Sequence, residues 1–284
     1  MEKIAVVTDT GSNLSFAQAK ELGIYLFPLQ ITIDETTYQD TLEISTQDIY
    51  NELANGKMPK TSMAAYQKIY DLFEELKKDY DTIFAVPLTN GLSTNASTMQ
   101  SIARELEMNV HVIDMYATCA LEKHVAIWIK KLVDEHKSSE EILKIIQPAI
   151  DESNSLILVK NLQHLKRGGR LTPMAAALAG LLKIYPVLHI NKSTEGRIDV
   201  LNKVRTEKRA DAYAIDKIMD DIDIQHTHIY IIHSNFLEGA DHFKKCFIEK
   251  GVPEQNIHID YISSVIAVHT GLGCIAIQYI REEN

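Results

Sequence analysis

Apolar residues fall into short runs, separated by segments in which they recur at helical spacing. Ile4–Val7 is a continuous apolar run that ends in Thr8-Asp9-Thr10-Gly11-Ser12, the pattern of a buried strand entering a polar turn. Tyr25–Ile33 reads as a second strand and Thr46–Leu53 as a short helix. Ala64–Lys78 carries Tyr66, Ile69, Tyr70, Phe73 and Leu76 on one face and predicts an amphipathic helix. The pattern then predicts strands at Thr82–Leu88 and Val110–Asp114, helices at Asn95–Met108, Leu121–Glu135 and Ser139–Ile150, and a strand at Leu156–Val159. Apolar strands alternating with helices imply a parallel sheet covered on both faces.

The rhythm changes after Lys160. Pro173–Leu182 is Ala-rich and helix-like, and Ile184–Ile190 and Arg197–Val204 read as two strands joined by a turn at Ser193-Thr194-Glu195-Gly196. Helices at Glu207–Asp221 and Leu237–Lys250 and strands at His228–His233, Ile257–Ile262 and Ile275–Ile280 complete the chain. A hairpin implies a mixed sheet. The expected architecture is an α/β protein of two domains: a parallel-sheet α/β/α domain over residues 1–157 and a mixed-sheet α/β domain over residues 158–284.

Composition narrows the function classes. The chain has 284 residues, 45% hydrophobic and 24% charged, which excludes a disordered chain, a collagen-like repeat and a disulfide-stapled scaffold. A net charge of −10 disfavours general nucleic-acid binding, which needs a basic surface. Cys119, Cys246 and Cys274 are too scattered for a disulfide framework or a zinc knuckle. No signal peptide is visible after Met1, and the longest apolar stretch, Met174–Leu182, falls well short of the roughly 20 residues of a membrane span. The expected location is the cytoplasm.

Two polar clusters sit at expected strand-to-helix junctions: Pro59-Lys60-Thr61-Ser62, and Thr89-Asn90-Gly91-Leu92-Ser93-Thr94. In an open parallel sheet ligands bind beyond the carboxyl ends of the strands, and helix starts suit a carboxylate or phosphate. Thr61, Ser62, Ser93 and Thr94 are therefore candidates for gripping one small anion, or else simple helix caps. Leu165-Lys166-Arg167-Gly168-Gly169-Arg170 surrounds paired glycines with three cations, fit for an anionic ligand or partner, or for a solvated turn. His269-Thr270-Gly271-Leu272-Gly273 with Ala276 loosely matches a dinucleotide fingerprint, but a strand follows where a helix would be required. There is no Walker A sequence. His226 and His228 could share a strand face, yet no carboxylate or cysteine partner is obvious from the sequence, which argues against a metal site. Trp128 lies on a helical apolar face, and Lys203, Arg205, Lys208 and Arg209 read as a solvated face or a contact for an acidic partner. Asp9, Ser93 and His269 nominally compose a hydrolase triad, although Gly91-Leu92-Ser93-Thr94-Asn95 lacks the second glycine of the nucleophile elbow.

Taken in order, Val7-Thr8-Asp9-Thr10, Thr61-Ser62, Leu88-Thr89-Asn90-Gly91-Leu92-Ser93, Leu165–Arg170 running on to Leu182-Lys183-Ile184-Tyr185-Pro186-Val187-Leu188, and His269–Gly273 resemble the DegV family over essentially the whole chain. Characterised members of that family are fatty-acid-binding proteins of bacterial fatty acid kinases. The resemblance implies a ligand tunnel between or beside the two domains that holds one long-chain fatty acid. Thr61 and Ser93 would hydrogen-bond the carboxylate, with Ser62, Thr94, His269 and Thr270 around it and Arg170 serving the kinase encounter or anchoring the site. It implies a carrier without catalysis, cofactor or metal of its own. The carrier would present the carboxylate to a separate ATP-dependent kinase for acyl-phosphate formation, a step in phospholipid metabolism, with transient membrane contact. The Ala-rich Met174–Leu182 segment would be a tunnel wall or a site of close helix packing. Departures from the family pattern fall at Thr10, Asn90, Thr94, Leu272 and residues 115–123. The competing readings are an esterase-like hydrolase using Ser93 and His269, and a regulatory protein that senses a small anion.

Overall fold

The structure, a computed structural model, describes residues 2–181 and 183–282. Its strands in chain order are β1 (Ile4–Asp9), β2 (Tyr25–Phe27), β3 (Gln30–Ile33), β4 (Thr36–Gln39), β5 (Lys60–Ser62), β6 (Thr82–Val86), β7 (Asn109–Val112), β8 (Asn154–Leu158), β9 (Tyr185–Ile190), β10 (Asp199–Val204), β11 (Thr227–His233), β12 (Ile257–Tyr261) and β13 (Ile275–Arg281). The helices are α1 (Phe16–Leu22), α2 (Thr46–Ala54), α3 (Tyr66–Leu76), α4 (Asn95–Glu105), α5 (Ala120–Asp134), α6 (Ser139–Glu152), α7 (Leu162–Arg167), α8 (Pro173–Leu178), α9 (Glu207–Asp221), α10 (Leu237–Glu249) and α11 (Ser264–Thr270).

The first half builds a parallel sheet of order β2-β1-β6-β7. Successive residues of β1 face opposite layers, and both layers are covered. Ala5 and Val7 pack with Ile69 and Phe73 of α3 and Met99 and Ile102 of α4. Ile4 and Val6 pack with Leu121, Val125 and Ile129 of α5 and Ile142 and Ile146 of α6. This double coverage is why β1 and β6 read as unbroken apolar runs.

The second half builds the expected mixed sheet, of order β10-β9-β8-β13-β11-β12. The β9–β10 hairpin is antiparallel, β13 runs antiparallel to β8 and β11, and β12 is parallel to β11. Strand β8, which spans residue 157, pairs with β9 and β13 of this sheet. One face, with Leu156, Ile229, Ile231 and Ile277, packs on Ile215 and Ile218 of α9 and Phe243 and Phe247 of α10. The opposite face, with Ile157, Leu188, Ile190, Ile232 and Ala276, turns toward Ala267 of α11.

Three expected elements differ. Tyr25–Ile33 is not one strand: Pro28 and Leu29 separate β2, in the parallel sheet, from β3, in a three-stranded antiparallel sheet of order β4-β3-β5. Proline cannot donate to a ladder and so ends the pairing. Lys60-Thr61-Ser62 is not a helix start. It forms β5, with Thr61 paired opposite Ile31 of β3. His269 and Thr270 form the last turn of α11, a helix the pattern did not predict, which Gly271 ends at a φ of 76°. The Ala-rich helix stops at Leu178, and Leu182 lies outside the described residues.

Candidate functional site

Thr61 reaches the site because β5 is anchored on β3 beside Ile31, which is fully buried. Helix α11 arrives from the far end of the chain. Its Val265 and Val268 pack with Leu29, Ile31, Ile49 and Leu88, and this contact sets His269 against β5. Thr61 Oγ1 and His269 Nε2 lie 2.7 Å apart. Helix α7 backs α11, with His164 Nε2 2.8 Å from the Val268 carbonyl oxygen.

The paired glycines after α7 divide two tasks. Gly168 has no room for a side chain, because a Cβ there would stand 2.9 Å from His269 Nδ1. Gly169 takes a φ of 73°, which turns the chain so that Arg170 faces the cavity. Arg170 Nη1 donates to the Gly168 carbonyl at 2.9 Å. Of the three cations in this motif, Arg170 lines the cavity, whereas Lys166 and Arg167 are exposed.

Ser93 is held by the loop between β6 and α4. Ser93 N–H donates to the Thr89 carbonyl at 3.1 Å, and Ser93 Oγ accepts from Asn95 N–H at 3.2 Å. The helix-cap reading thus fits Ser93 alone. Thr94 makes no side-chain cap bond, and its hydroxyl points to Met63 Sδ at 3.4 Å. Ser62 Oγ donates across the β3–β5 pair to Gln30 Oε1 at 3.0 Å. Thr270 Oγ1 donates to the Ile266 carbonyl at 3.3 Å. The loop also touches the second half of the chain: a Cβ on Gly91 would lie 2.1 Å from the Gly196 carbonyl oxygen.

All seven candidate residues, Thr61, Ser62, Ser93, Thr94, Arg170, His269 and Thr270, line one cavity of about 390 Å³. Its walls add Leu29, Met63, Leu88, Asn90, Leu92, Ile198, Val265 and Ile266. The sequence did not mark Met63 or Ile198 as site residues, since isolated apolar positions there look like core. Leu92, Ile198, Ile266 and Thr270 also line a narrow second cavity of about 30 Å³, which Ile157, Ile190, Ile232, Ile262, Cys274 and Ala276 continue along the inner face of the mixed sheet. The two cavities share the first four of these residues, and the second, which Thr118, Ser155 and Gln278 also line, is mostly apolar. The expected wall at Met174–Leu182 is not part of either lining among the described residues. Ala175 packs against the core and Met174 is exposed, so this helix takes the close-packing role.

Burial, and then the charge of Arg170, hold the His269 imidazole down at about 4, so it is neutral at pH 7. Thr61 Oγ1 and His269 Nε2 share one hydrogen bond, whose direction follows the imidazole tautomer. Hydroxyl groups without a resident carboxylate converge there. The hydrolase triad is not assembled. Asp9 Oδ1 accepts from Gly11 N–H at 2.8 Å, and Oδ2 accepts from Leu88 N–H at 2.9 Å and Asn95 Nδ2 at 3.0 Å. His269 Nδ1 has no hydrogen-bond partner, and Nε2 engages Thr61 rather than Ser93.

The DegV family model, described as "Uncharacterised protein, DegV family", matches residues 3–282. The chain belongs to the DegV family. A DegV domain-containing protein of Halalkalibacterium halodurans is 31% identical over 289 residues, covering 100% of both chains. The crystal structure of a fatty acid binding DegV family protein from Streptococcus agalactiae superposes with a TM-score of 0.91 at 29% identity, covering 100% of each chain. DegV from Bacillus subtilis, described as a fatty acid binding protein, gives 0.86 at 26% identity, covering 99% of this chain and 100% of that one. Among the described residues, no helix is long and apolar enough to cross a membrane. Of the positions expected to depart from the family pattern, Asn90 and Thr94 line the cavity, Thr10 Oγ1 accepts from Leu29 N–H at 3.1 Å, and residues 115–123 lead into α5.

Proposed function

We propose that this protein binds one long-chain fatty acid, with the carboxylate at the Thr61–Ser93–His269 mouth and the acyl chain in the slot along the mixed sheet. The observation that carries this reading is the junction itself. Hydroxyl groups from both halves of the chain converge on a 390 Å³ cavity whose walls continue, through Leu92, Ile198, Ile266 and Thr270, into an apolar slot. Each charge-assisted hydrogen bond to the carboxylate contributes about 1.5–3 kcal/mol. Each buried methylene contributes about 0.8 kcal/mol. The tail therefore dominates affinity and the polar mouth fixes direction. At about 30 Å³ the slot has room for few atoms, so the isoleucines that line it must shift to admit a chain.

The protein is then a carrier, and the chemistry belongs to a separate ATP-dependent kinase that phosphorylates the carboxylate. Arg170, a partly exposed cation at the mouth, supports this arrangement because an acyl carboxylate held there stays close to the surface. A working site in the cytoplasm with brief membrane visits to collect lipid belongs to the same proposal.

The test is native mass spectrometry of protein offered stearate, followed by lipid extraction. A one-to-one complex supports the proposal. Protein that takes up no long-chain fatty acid overturns it, and hydrolysis of an activated acyl ester that Ser93→Ala abolishes would replace it with the esterase reading. Binding of acetate as tight as that of stearate would favour a small-anion sensor.

A further inference from the structure

The segment after Asp114 places Glu122 on the inner face of α5, where it is fully buried beside Asp9, also fully buried. Both ends of the Ser93 loop meet Asp9, whose Oδ2 accepts from Leu88 N–H and from Asn95 Nδ2. Asn95 N–H in turn donates to Ser93 Oγ at 3.2 Å. Thr8 Oγ1 donates to the Val86 carbonyl at 2.7 Å and lies 3.3 Å from Glu122 Oε1, and Glu122 Oε2 is buried with no donor. A Cβ built on Gly11 would stand 2.7 Å from Asp9 Oδ1 and 3.1 Å from Glu122 Oε2, so the two carboxyl groups crowd the same face of that glycine.

Two carboxylates buried together cannot both stay ionised. We propose that Asp9 and Glu122 share one buried proton, carried by Glu122 and donated to Asp9, and that the pair is a positioning device for the Leu88–Asn95 loop that fixes Ser93 at the cavity. The proton resolves the orphaned Oε2, which becomes a donor rather than an unsatisfied acceptor. It leaves Asp9 ionised, and an ionised acceptor makes the stronger bonds to Leu88 N–H and Asn95 Nδ2. Burial first, and then the charge of Asp9, push Glu122 well above the ordinary carboxyl range, and burial raises Asp9 as well. The other titratable neighbours do not offset this. Cys119 raises Glu122 further, Asp40 faces Asp9 as a second acid, and Lys123 is tied to Asp260 at 2.6 Å.

The pair deepens the fatty-acid reading, but only the binding arm of its test rests on that reading. Lipid-free wild type, Glu122→Gln, Asp9→Asn and Asn95→Ala proteins are compared. Difference infrared spectra at pH 7 to 8 should show a protonated-carboxyl band in wild type that Glu122→Gln removes and Asn95→Ala keeps. Glutamine retains a donor toward Asp9, so stearate affinity of Glu122→Gln should stay within about threefold of wild type, whereas Asp9→Asn and Asn95→Ala should each weaken it by about tenfold or more. The folded protein holds a proton that the unfolded chain releases above about pH 4.5, so wild type loses stability relative to Glu122→Gln as pH rises from there. A missing band, or one that survives Glu122→Gln, overturns the shared proton. Wild-type affinity in Asn95→Ala, or an equal loss in Glu122→Gln and Asp9→Asn, overturns the positioning role. If wild type binds no stearate, the fatty-acid reading falls, and the band and the pH slope still decide the proton. If Asp9→Asn does not fold, Asn95→Ala and Glu122→Gln carry the test.

Discussion

Thr61 Oγ1 and His269 Nε2 meet at 2.7 Å although 208 positions separate them in the chain. The contact joins the small antiparallel sheet to the end of α11 and orients a hydroxyl toward the cavity. It makes the mouth a product of tertiary packing rather than of one local motif.

Removing the hydroxyls should therefore weaken binding without unfolding the protein. Thr61→Ala and Ser93→Ala are each expected to lower stearate affinity by about tenfold to a hundredfold, the worth of one charge-assisted hydrogen bond. Isothermal titration of each variant, with thermal melts as a control, checks this.

The imidazole gives a pH signature. His269 falls from its ordinary 6.5 to about 4 in the folded protein. Between those values the unfolded chain binds a proton that the folded chain refuses, so this contribution is complete above pH 6.5 and lost as pH drops toward 4. The loss is at most about 3 kcal/mol. Urea unfolding at several pH values should show this slope in wild type and a flatter one in His269→Gln.

Gly168 is a steric requirement rather than a turn requirement, because its φ of −64° suits any residue. Gly168→Ala sets a methyl group against the His269 ring and should cost about 1–3 kcal/mol, as overpacking does elsewhere. A lower melting temperature together with weaker stearate binding is the expected pair of results.

Ala276 lines the narrow slot from β13. Ala276→Leu should shorten the usable slot and shift the preferred acyl chain toward fewer carbons, with about 0.8 kcal/mol lost for each methylene that no longer fits. Affinities across a series of saturated acids give the readout.

Arg170 stands at the mouth with its guanidinium engaging the Gly168 carbonyl. Arg170→Ala should reduce acyl-phosphate formation by an added kinase more than it reduces fatty-acid binding. Equal losses in both assays would place Arg170 in the binding site.

Much of the fold was legible because its strands are covered on both faces. Ile4–Val7 and Thr82–Val86 stand out as apolar runs, and α9 matched its expected limits, Glu207 and Asp221. Short elements were not legible. Lys60-Thr61-Ser62 is too brief for alternation to show, so Thr61 looked like a cap when it is a strand residue. Helix α11 showed only as the apolar run Val265–Val268, since its polar ends, Ser264 and Thr270, are buried by tertiary contacts. The seven candidate residues were visible as motif residues, whereas their convergence on one cavity depends on how two sheets meet. Glu122 did leave a trace, because it shares a helical face with Val125, Ala126 and Ile129, where an acid has no solvent.

Strand β13, the last described element, lies inside the six-stranded sheet, between β8 and β11. A nascent chain emerging from the ribosome cannot close that sheet, or form the slot that Ala276 borders, until residues 275–281 are free to insert. Closure of the sheet is thereby deferred until β13 is in place, and a truncation of even a few residues within this strand would strike the middle of the sheet rather than trim its margin.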